Sequence, residues 1–189
     1  MLGVDQFVPL TTNNFEIRIY GMDGQSPSEN ADLLTLSTNE IGEIEEQQDI
    51  ITVHYGNGII KFPAKVTFAD VEWTLNCYCE PNVLEPLRAW RAQVYNARDE
   101  KMGLPSQYMR NVYFIKYDGR GGVKDVIKSP GCWIANLKNG THNQEGGQVV
   151  QVSVTLVISK AIYLRKDEIN QYFVLLSSAL AKFARAIFI

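Results

Sequence analysis

The side chains best equipped for chemistry are three cysteines, two histidines and a run of carboxylates. Cys77 and Cys79 stand two apart, so on a strand both thiols point to one face. A tetrahedral metal site needs about four ligands, and His54 and His142 lie in other segments. With Cys132, the thiols read as core or half-buried groups of a reducing compartment rather than a disulfide framework or a metal centre. Glu43, Glu45, Glu46 and Asp49 crowd one polar segment. Paired acid–base work needs carboxylates in different environments, so solvated charge is the better reading there. Neither Gly56-Asn57-Gly58 nor the glycines at 119–122 lead into a Lys-Ser/Thr pair opening a helix, which removes a P-loop. A Gly-x-Ser-x-Gly elbow is missing too, as is any Cys/His or Ser/His signature. Asn139-Gly140-Thr141 matches a glycosylation acceptor by chance in a chain without a secretion signal. The expectation is no catalytic residue, no metal and no cofactor: a structural protein, not an enzyme.

Composition narrows the class further. A chain of 189 residues with 46% hydrophobic content has enough material for one domain and its core. Net charge is −3 without a basic block, which disfavours tight binding to nucleic acid. Nucleic acid can still slide past such a surface, since like charges do not adhere. Met1 to Leu10 lacks the charged and apolar regions of a signal peptide, and no apolar run reaches the ~20 residues that span a bilayer, so no membrane anchoring is expected.

The elements that would carry these residues are mostly strands. Phe15, Ile17 and Ile19 alternate with polar neighbours, and 33–41 reads as a second strand, weaker because Ser37, Thr38 and Asn39 interrupt its apolar pattern. From Lys65 to Cys79 the chain alternates cleanly: Val71, Trp73, Leu75 and Cys77 against Asp70, Glu72, Thr74 and Asn76. Val83, Leu87, Trp90 and Val94 form a helical stripe over 82–98, with Asn82 or Glu85 at its start. Strands follow over 109–117, over 123–137 with a bend at Ser129-Pro130-Gly131, and over 148–160, separated by Gly/Asn-rich turns. The final segment, Asp167 to Ile189, changes to helical spacing through Ile169, Tyr172, Phe173, Leu176 and Leu180. The fold class is therefore mainly β: a β-barrel or sandwich with one flanking α-helix, plus a C-terminal amphipathic helix. Residues 1–163 would form the β domain, with 1–14 as an N-terminal arm, and 164–189 a helical extension.

The order of strand, polar excursion, Tyr-x-Gly-x-Gly, "KFPAKVTFADVEWTL" and "LRAW" on a helix resembles the tail tube proteins of contractile-tailed bacteriophages. More distantly it resembles the tube protein of type VI secretion systems. Tyr55, Gly56, Lys61, Trp73, Thr74, Leu87 and Trp90 carry the resemblance, which spans about Phe15 to Tyr163 and leaves Leu164 to Ile189 unmatched. It implies homohexameric rings whose sheets join around a lumen and stack into a tube. The implied partners are a tail sheath, baseplate and tail terminator proteins, and DNA passing through the lumen without specific binding. The implied place is the virion tail, assembled in the host cytoplasm. A type VI-like tube protein or a baseplate tube initiator is the alternative within this class. A small-ligand β-barrel is the alternative outside it, and would need a cavity with a convergent polar cluster.

Three surfaces follow from pattern and resemblance together. Glu72, Thr74, Asn76, Gln151, Ser153 and Thr155 are the expected lumen lining, being the polar side of strictly alternating strands. Arg88, Arg91 and Arg98 lie off the helix stripe and would face the sheath. Glu43 to Asn57 is the expected ring-stacking loop, through Glu43, Ile44, Glu45, Ile50, Ile51, Val53 and Tyr55. Its acidic character keeps it out of its own core, while its apolar residues need a cover.

Overall fold

The computed structural model describes residues 13–21, 30–80, 82–118, 122–140, 149–165 and 168–169. Strand β1, Phe15–Tyr20, is followed by helix α1, Ala31–Ser37, and strand β2, Thr38–Ile41. The expected strand over 33–41 is therefore mostly helix. Ala31, Leu34 and Ser37 are buried at a spacing of three, a helical face. Ser37 and Thr38, which with Asn39 interrupt the apolar pattern of a strand, send their hydroxyls back along the helix. Ser37 donates to the Leu33 carbonyl at 2.7 Å and Thr38 to that of Leu34 at 2.9 Å, while the single Thr35 hydroxyl proton lies between the Ala31 carbonyl at 3.0 Å and the nearer Ile17 carbonyl of β1.

The stretch read as a loop over 43–57 is instead one arm of a hairpin. Strand β3, Glu46–Tyr55, pairs with β4, Gly58–Phe68, across a two-residue turn with Gly56 at φ 57°. That φ suits glycine and explains the Tyr-Gly-Asn-Gly sequence. The register shifts between Gln48 and Ile50, opposite Pro63, which has no N–H to offer a ladder. Strand β5, Val71–Asn76, then returns to the main sheet, so the run 65–79 is divided between two sheets.

Helix α2, Leu84–Val94, is shorter than the expected 82–98. Its stripe is as read: Val83, Leu87, Trp90 and Val94 are all buried. Asn82 accepts from the Leu84 N–H at 3.1 Å, and the chain leaves the helix into β6, Tyr95–Asn96. β6 pairs with β7, Lys101–Met102, and a short helix α3, Pro105–Tyr108, follows. The described residues thus hold three helices rather than the single flanking one.

Strands β8, Arg110–Tyr117, β9, Val123–Lys138, and β10, Gln151–Val157, complete the body with a short β11, Ile162–Tyr163. The main sheet is seven-stranded and antiparallel, in the order β1-β8-β9-β10-β5-β2 with β11 on β9. β9 turns the corner. Its residues up to Cys132 pair with β8, and from Trp133 onward they pair with β10. Just before this change of partner the ladder to β8 shifts register at Pro130-Gly131, with Gly131 at φ 74°. A strand that switches partners through a bend folds one sheet into two facing halves. Both halves contribute to one core, which includes Ile17, Val112, Trp73, Leu75, Ile134 and Val154, closed by Leu87 and Trp90 of α2.

The sheet does not close into the expected barrel: β1 and β2, at its two ends, do not pair with each other. The local reason is α1. Thr35 donates to the Ile17 carbonyl at 2.5 Å, so a helix takes the outer edge of β1. A groove of about 770 Å³ opens along this seam, lined by residues that include Phe15, Glu16, Glu40, Glu43, Lys116 and Tyr117. The N-terminal arm and the C-terminal helix fall outside the described residues, apart from 13–14 and 168–169. Of that helix's stripe, Ile169 is buried with Tyr20, Tyr113, Ile115 and Val126.

Candidate functional site

Alternation along β5 and β10 produces the first candidate surface. Val71, Trp73 and Leu75 are buried, and so are Val152, Val154 and Leu156. The residues between them face outward. Register then joins them into one patch: Gln151 opposes Asn76, Ser153 opposes Thr74 and Thr155 opposes Glu72. Gln151 Nε2 donates to Asn76 Oδ1 at 3.3 Å. All six expected residues therefore share one face, with Glu72 and Gln151 exposed and the other four half-buried.

Three neighbours on that face escaped the sequence reading. Glu40 opposes Thr74 from β2, while Lys138 and Asn136 oppose Ser153 and Thr155 from β9. The signal was weak because β2 is only four residues long and β9 is bent. Lys138 Nζ stands 3.5 Å from Glu72. With both groups well exposed the pair adds little stability. Among the described residues it ties the one cation of this patch to a carboxylate, while Glu40 has no ion pair there, so the face is slightly acidic.

The four strands β9, β10, β5 and β2 carry this face as a half-sheet whose long edges are both open. Among the described residues, β9 beyond Cys132 pairs only with β10, and β2 pairs only with β5. Trp73 secures the β2 side, its Nε1 donating to Thr38 Oγ1 at 3.0 Å.

The second surface is the hairpin. It continues the β2–β5 ribbon: Gly42 N–H donates to the Glu72 carbonyl at 2.7 Å, and Ala69 N–H to Glu45 at 3.0 Å. Beyond that joint it leaves the body. Every residue of β3 is exposed, and in β4 only Ala64 and Phe68 are half-buried. Eleven residues of β4, at ~3.3 Å each, give an arm of about 36 Å. Cross-strand pairing sorts its side chains into two faces. Ile51 with Phe62, Val53 with Ile60 and Tyr55 with Gly58 make a wholly apolar face. Ile50 with Pro63, Thr52 with Lys61 and His54 with Ile59 make a mixed one.

The expected residues Ile50, Ile51, Val53 and Tyr55 are thus all exposed on the arm. Ile44 is half-buried against the core, and Glu43 and Glu45 stand exposed at the arm's base. Ile59, Ile60 and Phe62 belong to the same surface but were not singled out. Two β-rich runs flanking Tyr-Gly-Asn-Gly were the hairpin signal that could have found them. Apolar groups of this size forgo about 1.5–3 kcal/mol each when left in water instead of buried.

The arginines of α2 do not share one environment. Arg88 is exposed, its Nη2 donating to Asn139 Oδ1 at 3.4 Å, and Arg98 is exposed beyond the helix end. Arg91 is half-buried, and its Nη1 is buried without a hydrogen-bond partner among the described residues.

At the seam, Glu16 accepts from Arg18 Nε at 2.5 Å and from the Tyr117 hydroxyl. Burial, followed by the Glu16 hydrogen bond, pushes the Tyr117 phenol up to about 12. Burial likewise pushes the Cys132 thiol up to about 11 and raises that of Cys77. Cys79 is exposed. No group of three or more His, Cys, Asp or Glu residues is gathered for a metal among the described residues, and no helix there is long and apolar enough to cross a membrane.

No protein-family model and no curated protein matches the sequence. Solved structures do match the fold. One is the anti-feeding prophage cap, described as a tube-terminating cap, at TM-score 0.66 and 11% identity over 87% of this chain and 95% of that one. Another is a chain of the sheath/tube terminator of an extracellular contractile injection system, at 0.62 and 11% over 83% and 97%. A third belongs to the sheath–tube complex of that system in its extended state, at 0.62 and 11% over 87% and 99%. The chain shares its fold with components of contractile injection systems, at almost their full length.

Proposed function

We propose that this chain is the inner-tube subunit of a contractile phage-type tail. Copies join edge to edge into a homohexameric ring, β2 of one beside the Trp133–Lys138 part of β9 in the next. The polar face turns to the lumen: Glu72, Thr74, Asn76, Gln151, Ser153 and Thr155, with Glu40, Asn136 and Lys138. Rings stack through the hairpin arm, with Glu43, Ile44 and Glu45 at its base and Ile50, Ile51, Val53 and Tyr55 along it. A sheath meets the outer flank at Arg88 and Arg98, with Arg91 beneath, and baseplate and terminator proteins close the tube's ends. DNA moves through a lumen in which Lys138, the one cation of that face among the described residues, is held by Glu72, so phosphates find few partners to bind.

The observation that carries this reading is one half-sheet that is apolar within, polar without, open at both edges and prolonged by an apolar arm. A monomer gains nothing from such edges and is left with an aggregation hazard. A repeating assembly covers edges and arm together. Negative-stain microscopy of the purified chain is the test. Rings and tubes of uniform diameter are expected. A monodisperse monomer at high concentration contradicts the reading.

The likeness to tube-terminating caps at TM-score 0.62 and above favours a second reading, a terminator ring that closes a tube. Such a ring forms without elongating, so the same images separate the two.

A further inference from the structure

We propose that the chain beyond Ile169 lies as a helix on the outer face of the β1-β8-β9 half of the sheet, in its own subunit, with Leu176 and Leu180 over Tyr20. This adds a third layer on the side of the body turned away from the polar patch. The inference rests on the fold and does not depend on the tube reading.

Strand pairing defines the face. Ile17, Ile19, Val112, Phe114 and Ile127 point into the core between the two halves. Their neighbours point the other way, and register sets them side by side. Tyr113 opposes Arg18 and Lys128, Ile115 opposes Glu16 and Val126, and Asn111 opposes Tyr20. The outer face of an antiparallel sheet is ordinarily wet. Here Tyr113, Ile115 and Val126 are each 1% exposed and form a second apolar cluster with Tyr20. Among the described residues, only Leu164 and Ile169 join this cluster from outside β1, β8 and β9.

The chain meets this face at the start of a helix. Leu164 N–H donates to the Val126 carbonyl at 3.0 Å, which holds the chain beside the sheet. Ile169 N–H donates to the Arg165 carbonyl at 2.9 Å, the first α-helical bond. Glu168 Oε2 accepts from the Arg165 N–H at 2.8 Å, the carboxylate half of a capping box. Leu164, just before the cap, and Ile169, one turn later, both pack in the cluster. That pairing is a hydrophobic staple, which fixes the angle at which a helix leaves its cap.

The sequence continues what the staple begins. From Asn170 to Ala181 there is no Asp, Glu, Lys or Arg. Tyr172, Phe173, Leu176 and Leu180 extend the Ile169 face at helical spacing, with Gln171, Ser178 and Lys182 opposite. From Val126 to Tyr20 the cluster crosses two strand spacings and runs four residues along, a diagonal of about 17 Å. A helix rises about 17 Å between Ile169 and Leu180. Burial gives the direction, since Tyr20 and Tyr113 are buried while Tyr117 and Val123, at the other end, are half-buried.

Crosslinking in the full-length chain tests the placement. With Cys79→Ser as background, Tyr20→Cys and Leu180→Cys should be joined by a short bismaleimide within one subunit, giving a faster band on a denaturing gel in at least half of the molecules. Joining only between chains would mean that the segment covers another copy. No joining in a chain with native circular dichroism overturns the docking outright. A second comparison keeps the Tyr20 ring in place. Leu176→Asp with Leu180→Asp should raise the fluorescence of anilinonaphthalene sulfonate at least threefold, by uncovering Tyr20 and Tyr113. Ser178→Asp with Lys182→Glu, on the opposite side, should leave it unchanged. An equal response of the two pairs contradicts the proposal. Neither readout requires assembly, so failure here leaves the tube reading standing.

Discussion

The body and the arm are two parts of one ribbon with opposite fates. In the body, alternation along β5 sends Trp73 and Leu75 into the core and Glu72 and Thr74 outward. In the arm, the same alternation leaves Ile51, Val53, Ile60 and Phe62 exposed, because no second layer covers them among the described residues. Pattern fixes which side chains share a face, and only packing decides whether that face is buried. The body finds its second layer in the other half of the bent sheet and in α2. The arm has no such layer among the described residues, and under the proposed function another copy supplies it.

The sharpest contrast comes from removing an apolar side chain in each region. Trp73 is 0% exposed and donates to Thr38. Trp73→Ala should cost about 3–5 kcal/mol, as for large core aromatics, read as a lowered urea midpoint. Phe62→Ser in the arm should move the same midpoint by less than about 0.5 kcal/mol, yet stop tube growth. Equal destabilisation by both would mean that the arm packs on its own body.

A smaller effect tests the bend that gives the body its two layers. Gly131 sits at φ 74°, and an added Cβ would meet only Met109 Sδ, at 3.5 Å. The space is adequate, so Gly131→Ala should cost the conformational penalty alone, about 1–2 kcal/mol. A neutral substitution in thermal melts would show that the backbone relaxes there.

The smallest effects separate the thiols and the alkaline limb. Cys79 should react quickly with a thiol reagent, Cys77 more slowly, and Cys132 only as the subunit unfolds. The folded pKa of Cys132 is raised from 9.0 to about 11, and that of Tyr117 from 10.0 to about 12. Both native sites favour the neutral form. Their contribution is complete below the unfolded values and is lost as pH rises through the folded ones. Subunit stability should therefore fall between about pH 9 and 12. A flat profile across that window would contradict both assignments.

Strong periodicity was legible in the sequence. Phe15–Tyr20, the α2 stripe, the alternation over 71–76 and 151–157, and the bend at Pro130-Gly131 all appear as read. What escaped depended on context. Ser37, Thr38 and Asn39 look like breaks in a strand, but the Ser37 and Thr38 hydroxyls find the carbonyls of a helical turn. Glu43 to Asp49 looks like a loop because charge argues against burial. A strand need not be buried, however, and β3 is a ladder with both faces wet. Closure was illegible as well, since it depends on α1 taking the edge of β1. Of the candidate surfaces, the polar patch was nearly complete, lacking Glu40, Asn136 and Lys138 from neighbouring strands. The arm was half seen, because attention stopped at the turn.

Backbone amide exchange tests the contrast between arm and body most directly, compared between isolated subunits and assembled particles. In subunits, amides of β5 and β10 should exchange slowly and those of Glu46–Tyr55 and Gly58–Phe68 quickly, since an uncovered two-stranded ribbon opens easily. Assembly should slow the arm at least a hundredfold and leave the core of the body little changed. Arm amides that exchange equally fast in subunit and particle would contradict the claim that another copy covers the arm.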